Sequence, residues 1–145
     1  MDILRPEMIQ LGGAAGSKEE AIRLAGALLV RGGCVEPAYV AGMLAREETM
    51  STCLGNGVSI PHGQFDDRSL IHRTGLSVLQ LAQGIEWEPG ELVYLVIGIA
   101  ATSDEHIGIL ARLAEALEDE ETTQTLFQAT EPATIIECLS HPPQP

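Results

Sequence analysis

The stretch LGNGVSIPHG, residues 54–63, presents one histidine in an unusual setting. Residues 58–60 are small or apolar and read as a short strand. Pro61 fixes its own φ and pushes Ile60 toward an extended conformation, so the strand stays straight to its end. His62 follows, and Gly63 behind it leaves room for another backbone or a bulky anion to approach closely. Gly55 and Gly57 make the preceding turn, and their N–H groups could line an anion-binding concavity. An imidazole presented in this way suits three jobs: metal ligand, general base or nucleophile. No second ligand stands at a usual offset, which disfavours a metal. A general base needs a nucleophile to activate, and only Cys53 and Ser59 lie nearby; alternation points Ser59 away from the face of Ile60. A nucleophilic imidazole, largely neutral near pH 7 because its ordinary pKa is about 6.5, can accept a phosphoryl group. From these residues alone, a histidine that simply ends a strand stays equally open.

Two further residues carry chemistry only if the fold brings them to His62. His106, in TSDEHIGIL, falls on the first turn of a helix that Ser103 could cap. There the helix dipole disfavours its protonation and favours a neighbouring anion; otherwise it is a surface histidine. Arg46 lies near the C-terminal end of a helix predicted over 37–47 and is otherwise a solvated arginine. His72, in QFDDRSLIHR, reads as an exposed loop residue, and His141 in the Pro-rich tail as inert. Cys34, Cys53 and Cys138 are far apart and odd in number, which is no disulfide framework and suits a reducing cytoplasm. No Cys or His pair has structural-zinc spacing, so no metal is expected.

The elements that must position these residues alternate in type. A strand over 8–11 ends at Gly12-Gly13. Ser17 and Glu20 form a capping box for a helix over 17–31, with Ala21, Leu24, Ala25, Leu28 and Leu29 as its buried stripe and Gly32-Gly33 as its stop. Pro37 opens the next helix. Residues 49–57 read as loop, and 74–82 and 92–100 as strands buried on both faces. A long helix from Ser103 carries Ile107, Leu110, Ala111, Ala114 and Leu117 on one side. Two shorter helices follow, the last from Thr130 using Ile135, Ile136 and Leu139. The chain therefore reads as a single-domain α/β fold, its sheet covered by helices on both faces, over 1–140, with 141–145 as a disordered tail.

Composition narrows the function classes. The 145 residues contain 45% hydrophobic but only 3% aromatic side chains, so the core is chiefly Leu, Ile, Val, Ala and Met. Net charge is −13, from 8 basic and 21 acidic residues, which leaves no basic stripe for nucleic acid or an anionic membrane. A macromolecular partner would bring the positive charge itself. No apolar run reaches the roughly 20 residues of a membrane span, and the N-terminus lacks a secretion-signal layout.

LGNGVSIPHG resembles the active-site signature of the fructose–mannitol class of enzyme IIA domains. These are the cytoplasmic phosphocarriers of the bacterial phosphoenolpyruvate-dependent sugar phosphotransferase system. SKEEAIRLAGALLVRGGCVEPAYVAGMLARE and LVIGIAATSDEHIGIL resemble the mannitol-specific branch, so the likeness covers roughly residues 8–140. It implies a mixed sheet and no cofactor. It places His62 as the acceptor, whose Nε2 takes a phosphoryl group from the carrier HPr and passes it to a cysteine of enzyme IIB. It places His106 and Arg46 as the groups that neutralise the phosphoryl oxygens, supported by Asn56, Gly57 and Gly63. Enzymes IIB and IIC are then expected on separate polypeptides, with transport of mannitol or a related hexitol or fructose as the outcome. Asn56 departs from the glutamate frequent in the mannitol branch, and GNG resembles the nitrogen-regulatory relatives, so a regulatory role is the alternative. Ser59 stands where alanine is frequent and is expected to be neutral.

Overall fold

The structure is a computed structural model that describes residues 3–101 and 103–140, with 65, 103–107, 110 and 140 described by backbone alone. The tail over 141–145, and His141 in it, lie outside the described residues. A 3-10 turn over Pro6–Met8 leads into β1 (Ile9–Gly13), α1 (Lys18–Arg31), α2 (Tyr39–Thr49) and β2 (Val58–Ser59). A second 3-10 turn, Phe65–Leu70, precedes β3 (Gly75–Glu88), β4 (Glu91–Ala100), α3 (Ser103–Leu117), α4 (Glu120–Gln128) and α5 (Pro132–Ser140).

Ser17 caps α1 as its sequence predicts, its hydroxyl accepting the Glu20 N–H at 3.1 Å. The Glu20 carboxylate, however, reaches past Ser17 to the Gly16 N–H at 2.7 Å. α2 starts two residues beyond Pro37, because a turn joining Tyr39 N–H to the Glu36 carbonyl and Val40 N–H to the Pro37 carbonyl comes first. α3 begins at Ser103, whose side chain lies outside the described residues. Asp119 caps α4 by accepting the Thr122 N–H at 3.1 Å.

The four strands form one mixed sheet in the order β1-β3-β4-β2. β1 runs parallel to β3, β3 antiparallel to β4, and β2 parallel to β4. The first half of β3, from Gly75 to Leu81, is buried throughout, and Val78, Leu79, Leu95, Val96, Ile97 and Ile99 expose nothing. Each such side chain contributes about 1.5–3 kcal/mol by leaving water. Ser77 and Gln80 stand three apart on β3 and so face opposite sides of the sheet. The Ser77 hydroxyl donates to the Ala25 carbonyl of α1 at 2.7 Å. The Gln80 amide donates to the carbonyls of Leu126 and Ala129 at 3.0 Å each, at the end of α4. Helices therefore cover both faces, as the sequence predicts.

Two buried stripes differ from the sequence reading. On α1 the core side includes Ile22 and Gly26 in addition to Ala21, Ala25, Leu28 and Leu29, while Leu24 is only half-buried. α2 packs against Gly26 so closely that a Cβ there would lie 2.7 Å from a Val40 methyl, which widens the covered arc. Among the described side chains of α3, Ile109, Leu113, Ala116 and Leu117 are buried, while Ala111 and Ala114 are exposed; those of Ile107 and Leu110 lie outside the described residues. Alanines fit either face of a helix, so they carry little information about which side turns inward. Among the described residues no helix is long and apolar enough to cross a membrane.

Gln80 ties three chain segments together, since its Oε1 also accepts the Gly12 N–H at 2.9 Å. Gln80→Leu should leave two buried carbonyls unpaired and release the exposed Gly12 N–H to water, lowering stability by about 2 kcal/mol. A urea midpoint lowered at constant slope is the expected reading. An unchanged midpoint would show that these bonds do not hold α4 to the sheet.

Candidate functional site

The extended run through β2 continues to His62. Val58 and Ser59 pair with Leu95 and Val96, and His62 then bridges Ile99, whose N–H donates to the Pro61 carbonyl at 3.0 Å. β4 ends at Ala100 and α3 begins at Ser103, so His62 lies at the end of the sheet where α3 starts. Its ring is half-buried, with Nδ1 3.0 Å from the Ile60 carbonyl oxygen. A carbonyl oxygen only accepts, so Nδ1 carries the hydrogen of this bond. In the neutral ring the lone pair is therefore on Nε2.

Ile60 is itself anchored, its N–H donating to the Thr52 carbonyl at 3.0 Å. Thr52 in turn gives its N–H at 3.2 Å and its hydroxyl at 2.6 Å to the Glu47 carboxylate. Trp87 Nε1–H reaches the same carboxylate at 2.9 Å, and the Lys18 ammonium stands 3.8 Å away. Glu47 is only 5% exposed, and these donors compensate a desolvation that would otherwise be costly. Sequence reasoning missed Glu47, because a glutamate near a helix end reads as solvated. The available signal was spacing: Tyr39, Met43 and Glu47 stand at i, i+4 and i+8, one face of α2, and all three are buried.

Tyr39 is the second residue missed. Its hydroxyl donates to the Ile99 carbonyl at 2.8 Å and accepts the Gly63 N–H at 2.8 Å. The ring crowds Gly63 so closely that a Cβ there would lie 2.5 Å from Tyr39 Cε1. Gly63 is thus required by a neighbouring side chain. Burial pushes the Tyr39 hydroxyl up to about 12; the Gly63 N–H opposes this and the Asp67 charge adds to it.

The remaining predicted residues divide. His106 lies on the first turn of α3, at the same end of the sheet as His62, while its side chain lies outside the described residues. Arg46 is on α2, and its Nη1 donates to the Met50 carbonyl at 2.8 Å; among the described residues no hydrogen bond joins it to His62. Gly55 and Gly57 adopt positive φ, as their turn demands. That turn sits at the far end of β2, however. The Gly57 carbonyl accepts from Tyr94 and Leu95, whereas His62 bridges Ile99, about 13 Å further along at roughly 3.3 Å per residue. The Asn56 amide donates to the Leu117 carbonyl at 2.7 Å, at the C-terminal end of α3. Asn56 and Gly57 hold that end of the fold and do not cradle a group on His62.

Neither residue considered as a partner for a general base is suited to it. Ser59 is fully buried, and its hydroxyl has no hydrogen-bond partner among the described residues. Burial pushes the Cys53 thiol up, and the charges of Glu91, Glu47 and Glu88 add to this against the Gly55 N–H, so no thiolate is favoured. His72 is exposed, with Nε2 3.9 Å from Glu36 at the surface, a pair worth little. Among the described residues no group of three His, Cys, Asp or Glu side chains could hold a metal.

Comparison with known proteins bears on this arrangement. Residues 2–141 match the family model described as phosphoenolpyruvate-dependent sugar phosphotransferase system, EIIA 2. The mannitol-specific phosphotransferase enzyme IIA component of Geobacillus stearothermophilus is 38% identical over 140 residues, 97% of each chain. A multiphosphoryl transfer protein of Xanthomonas campestris pv. campestris is 45% identical over 135 residues, 93% of this chain. The match covers only 16% of that protein, and the chain spans 16% to 33% of the multiphosphoryl transfer proteins it resembles. Among solved structures, enzyme IIAMTL in its complex with phosphorylated enzyme IIBMTL from Escherichia coli superposes with a TM-score of 0.88. It is 40% identical and covers 94% of this chain and 96% of that one.

Two outcomes follow from the burial of these hydroxyls. Ser59→Ala removes a dehydrated, unpartnered group and should stabilise the protein by about 1 kcal/mol, read as a higher urea midpoint. A lower midpoint would mean that the hydroxyl has a partner. For Tyr39, folded and unfolded chains both hold the phenolic proton below pH 10, so its contribution is fully present there. Above pH 10 the unfolded chain ionises first, and stability falls until the folded hydroxyl ionises near 12. The loss should be on the order of 2–3 kcal/mol, measured by denaturation at each pH. Tyr39→Phe should lack that fall; an identical slope in the variant would refute the assignment.

Proposed function

Because the chain belongs to the EIIA 2 family of the phosphoenolpyruvate-dependent sugar phosphotransferase system, we propose that it is a phosphocarrier whose acceptor is Nε2 of His62. One observation carries the reading: the bond from Nδ1–H to the Ile60 carbonyl puts the lone pair of the neutral ring on Nε2. Nε2 attacks phosphorus in the phosphohistidine of HPr; the new N–P bond forms as the donor's N–P bond breaks, its electron pair returning to the donor ring. The ring then bears a positive charge, which the retained Nδ1–H shares with the Ile60 carbonyl. A cysteine thiolate of enzyme IIB next attacks phosphorus, and the electron pair returns to Nε2. The transition state is loose, so positioning and charge neutralisation are the protein's main tasks. The N-terminal turn of α3, with His106 on it, supplies a dipole and a donor. Arg46 exchanges its Met50 carbonyl for phosphoryl oxygens.

The partners and setting follow from the same reading. HPr and enzyme IIB meet the protein in the cytoplasm, enzyme IIB linking it to membrane enzyme IIC for uptake of mannitol or a related sugar. Met50 is 66% exposed and Leu54 40% exposed on the loop that pairs with the acceptor strand, a small apolar face suited to brief docking. The net charge of −13 supplies steering toward a basic partner. The regulatory alternative rested on the GNG turn. Asn56 there is engaged at the end of α3, and the likeness runs to mannitol-specific enzyme IIA, so carriage of phosphate for transport is preferred.

Incubation with phosphoenolpyruvate, enzyme I and HPr should place one acid-labile, base-stable phosphate on His62. His62→Gln should carry none, and stoichiometric labelling of that variant would end the assignment. His106→Ala should fold normally yet pass its phosphate to enzyme IIB at least about tenfold more slowly; unchanged transfer would remove His106 from the site.

A further inference from the structure

His62 stands at a break in its own ladder. A parallel bridge between His62 and Ile99 calls for two bonds: Ile99 N–H to the Pro61 carbonyl, and Gly63 N–H to the Ile99 carbonyl. The first is present at 3.0 Å. In the second the Tyr39 hydroxyl is interposed, accepting from Gly63 at 2.8 Å and donating to Ile99 at 2.8 Å. We propose that Tyr39 is a positioning residue for phosphoryl transfer, its hydroxyl inserted into the β2–β4 ladder immediately after His62 to set the backbone from which the imidazole projects. This proposal rests on His62 being the acceptor.

The geometry gives the hydroxyl a role that packing alone would not. Before His62 the chain is joined directly to β4; after it, the chain is held off by one oxygen. His62 therefore sits where the acceptor strand begins to part from the sheet, and its ring folds back so that Nδ1 meets the Ile60 carbonyl. Bonds on either side hold the backbone that carries that ring: Ile60 to Thr52, Pro61 to Ile99, and Gly63 through Tyr39 to Ile99. Tyr39 is 3% exposed, so water cannot readily replace its hydroxyl. With its ionisation pushed up by burial to about 12, the group keeps the proton it donates to Ile99 at every physiological pH. The lack of a side chain at Gly63 serves the same end, since a Cβ there would drive the ring away.

Tyr39→Phe keeps the ring and deletes the hydroxyl. The variant should fold, with an intact amide spectrum away from residues 60–64. Its His62 ring nitrogens should move, by 15N chemical shift, from the Nδ1–H form toward a tautomer mixture. Phosphorylation by phospho-HPr should slow roughly 10- to 100-fold in kcat with KM little changed, because the docking face is untouched. A wild-type tautomer signature together with wild-type kcat would overturn the proposal. The tautomer readout needs no phosphate, so it judges the clamp even if His62 proves not to be the acceptor; that separate failure appears as labelling of His62→Gln. Should Tyr39→Phe not fold, the unaltered protein still decides: the Gly63 amide must be protected from hydrogen exchange, and exchange at the unprotected rate would overturn the clamp.

Discussion

A carbonyl oxygen can accept a hydrogen bond and cannot donate one, and that asymmetry at Ile60 fixes which nitrogen of the His62 ring carries the proton. It obliges Nδ1 of His62 to hold the proton and leaves the lone pair of the neutral ring on Nε2. Most of the surrounding structure can be understood as keeping that carbonyl in place. The N–H of the same residue is held to Thr52, Thr52 to Glu47, and Glu47 to α1 and β3 through Lys18 and Trp87. Each link is a bond to a group with little water around it, so loosening one would leave a partner dehydrated and unpaired. Such a group costs more than the bond itself contributes.

α2 is the common support of these links. Its buried stripe of Tyr39, Met43 and Glu47 places a hydroxyl near its N-terminus and a carboxylate two turns later, with a thioether packed between them. The hydroxyl holds the chain just after His62, and the carboxylate holds the loop that pairs just before it. Both groups are carried by one helix, so the chain on either side of His62 shares one reference frame. Gly26 of α1 lets α2 lie close against the helix that covers the sheet, and that contact fixes the frame to the core. The fold thus gives one ring a setting held from both sides.

The charge distribution complements this. The chain has 21 acidic against 8 basic residues, and Arg46 lies in the last turn of α2. For the proposed role of phosphocarrier, long-range steering serves brief encounters better than buried area does. The same excess of negative charge would repel a phosphoryl group unless local positive potential offset it. A helix N-terminus and a long, flexible guanidinium can supply such potential without changing the overall balance.

The local grammar was legible without coordinates. Ser17 before Glu20, Gly32-Gly33 after the apolar stripe, and the uninterrupted Leu, Val and Ile runs of β3 and β4 act over a few residues, so neighbours in sequence suffice to specify them. PHG at the end of an apolar run likewise announced an imidazole presented at a strand end, where the structure finds it half-buried. What lay beyond the sequence depended on partners far away in the chain. Ala111 and Ala114 fit either face of α3, and only packing chose Ile109 and Leu113 for the core. Asn56 could have served the acceptor, but the distance along β2 and the Leu117 carbonyl engage it elsewhere. Glu47 and Tyr39 resemble ordinary surface and core residues until Trp87, Thr52, Gly63 and Ile99 arrive beside them. Residue types and short spacings determined which groups could act; closure of long loops, which brings unrelated segments within hydrogen-bonding distance, decided which of them do.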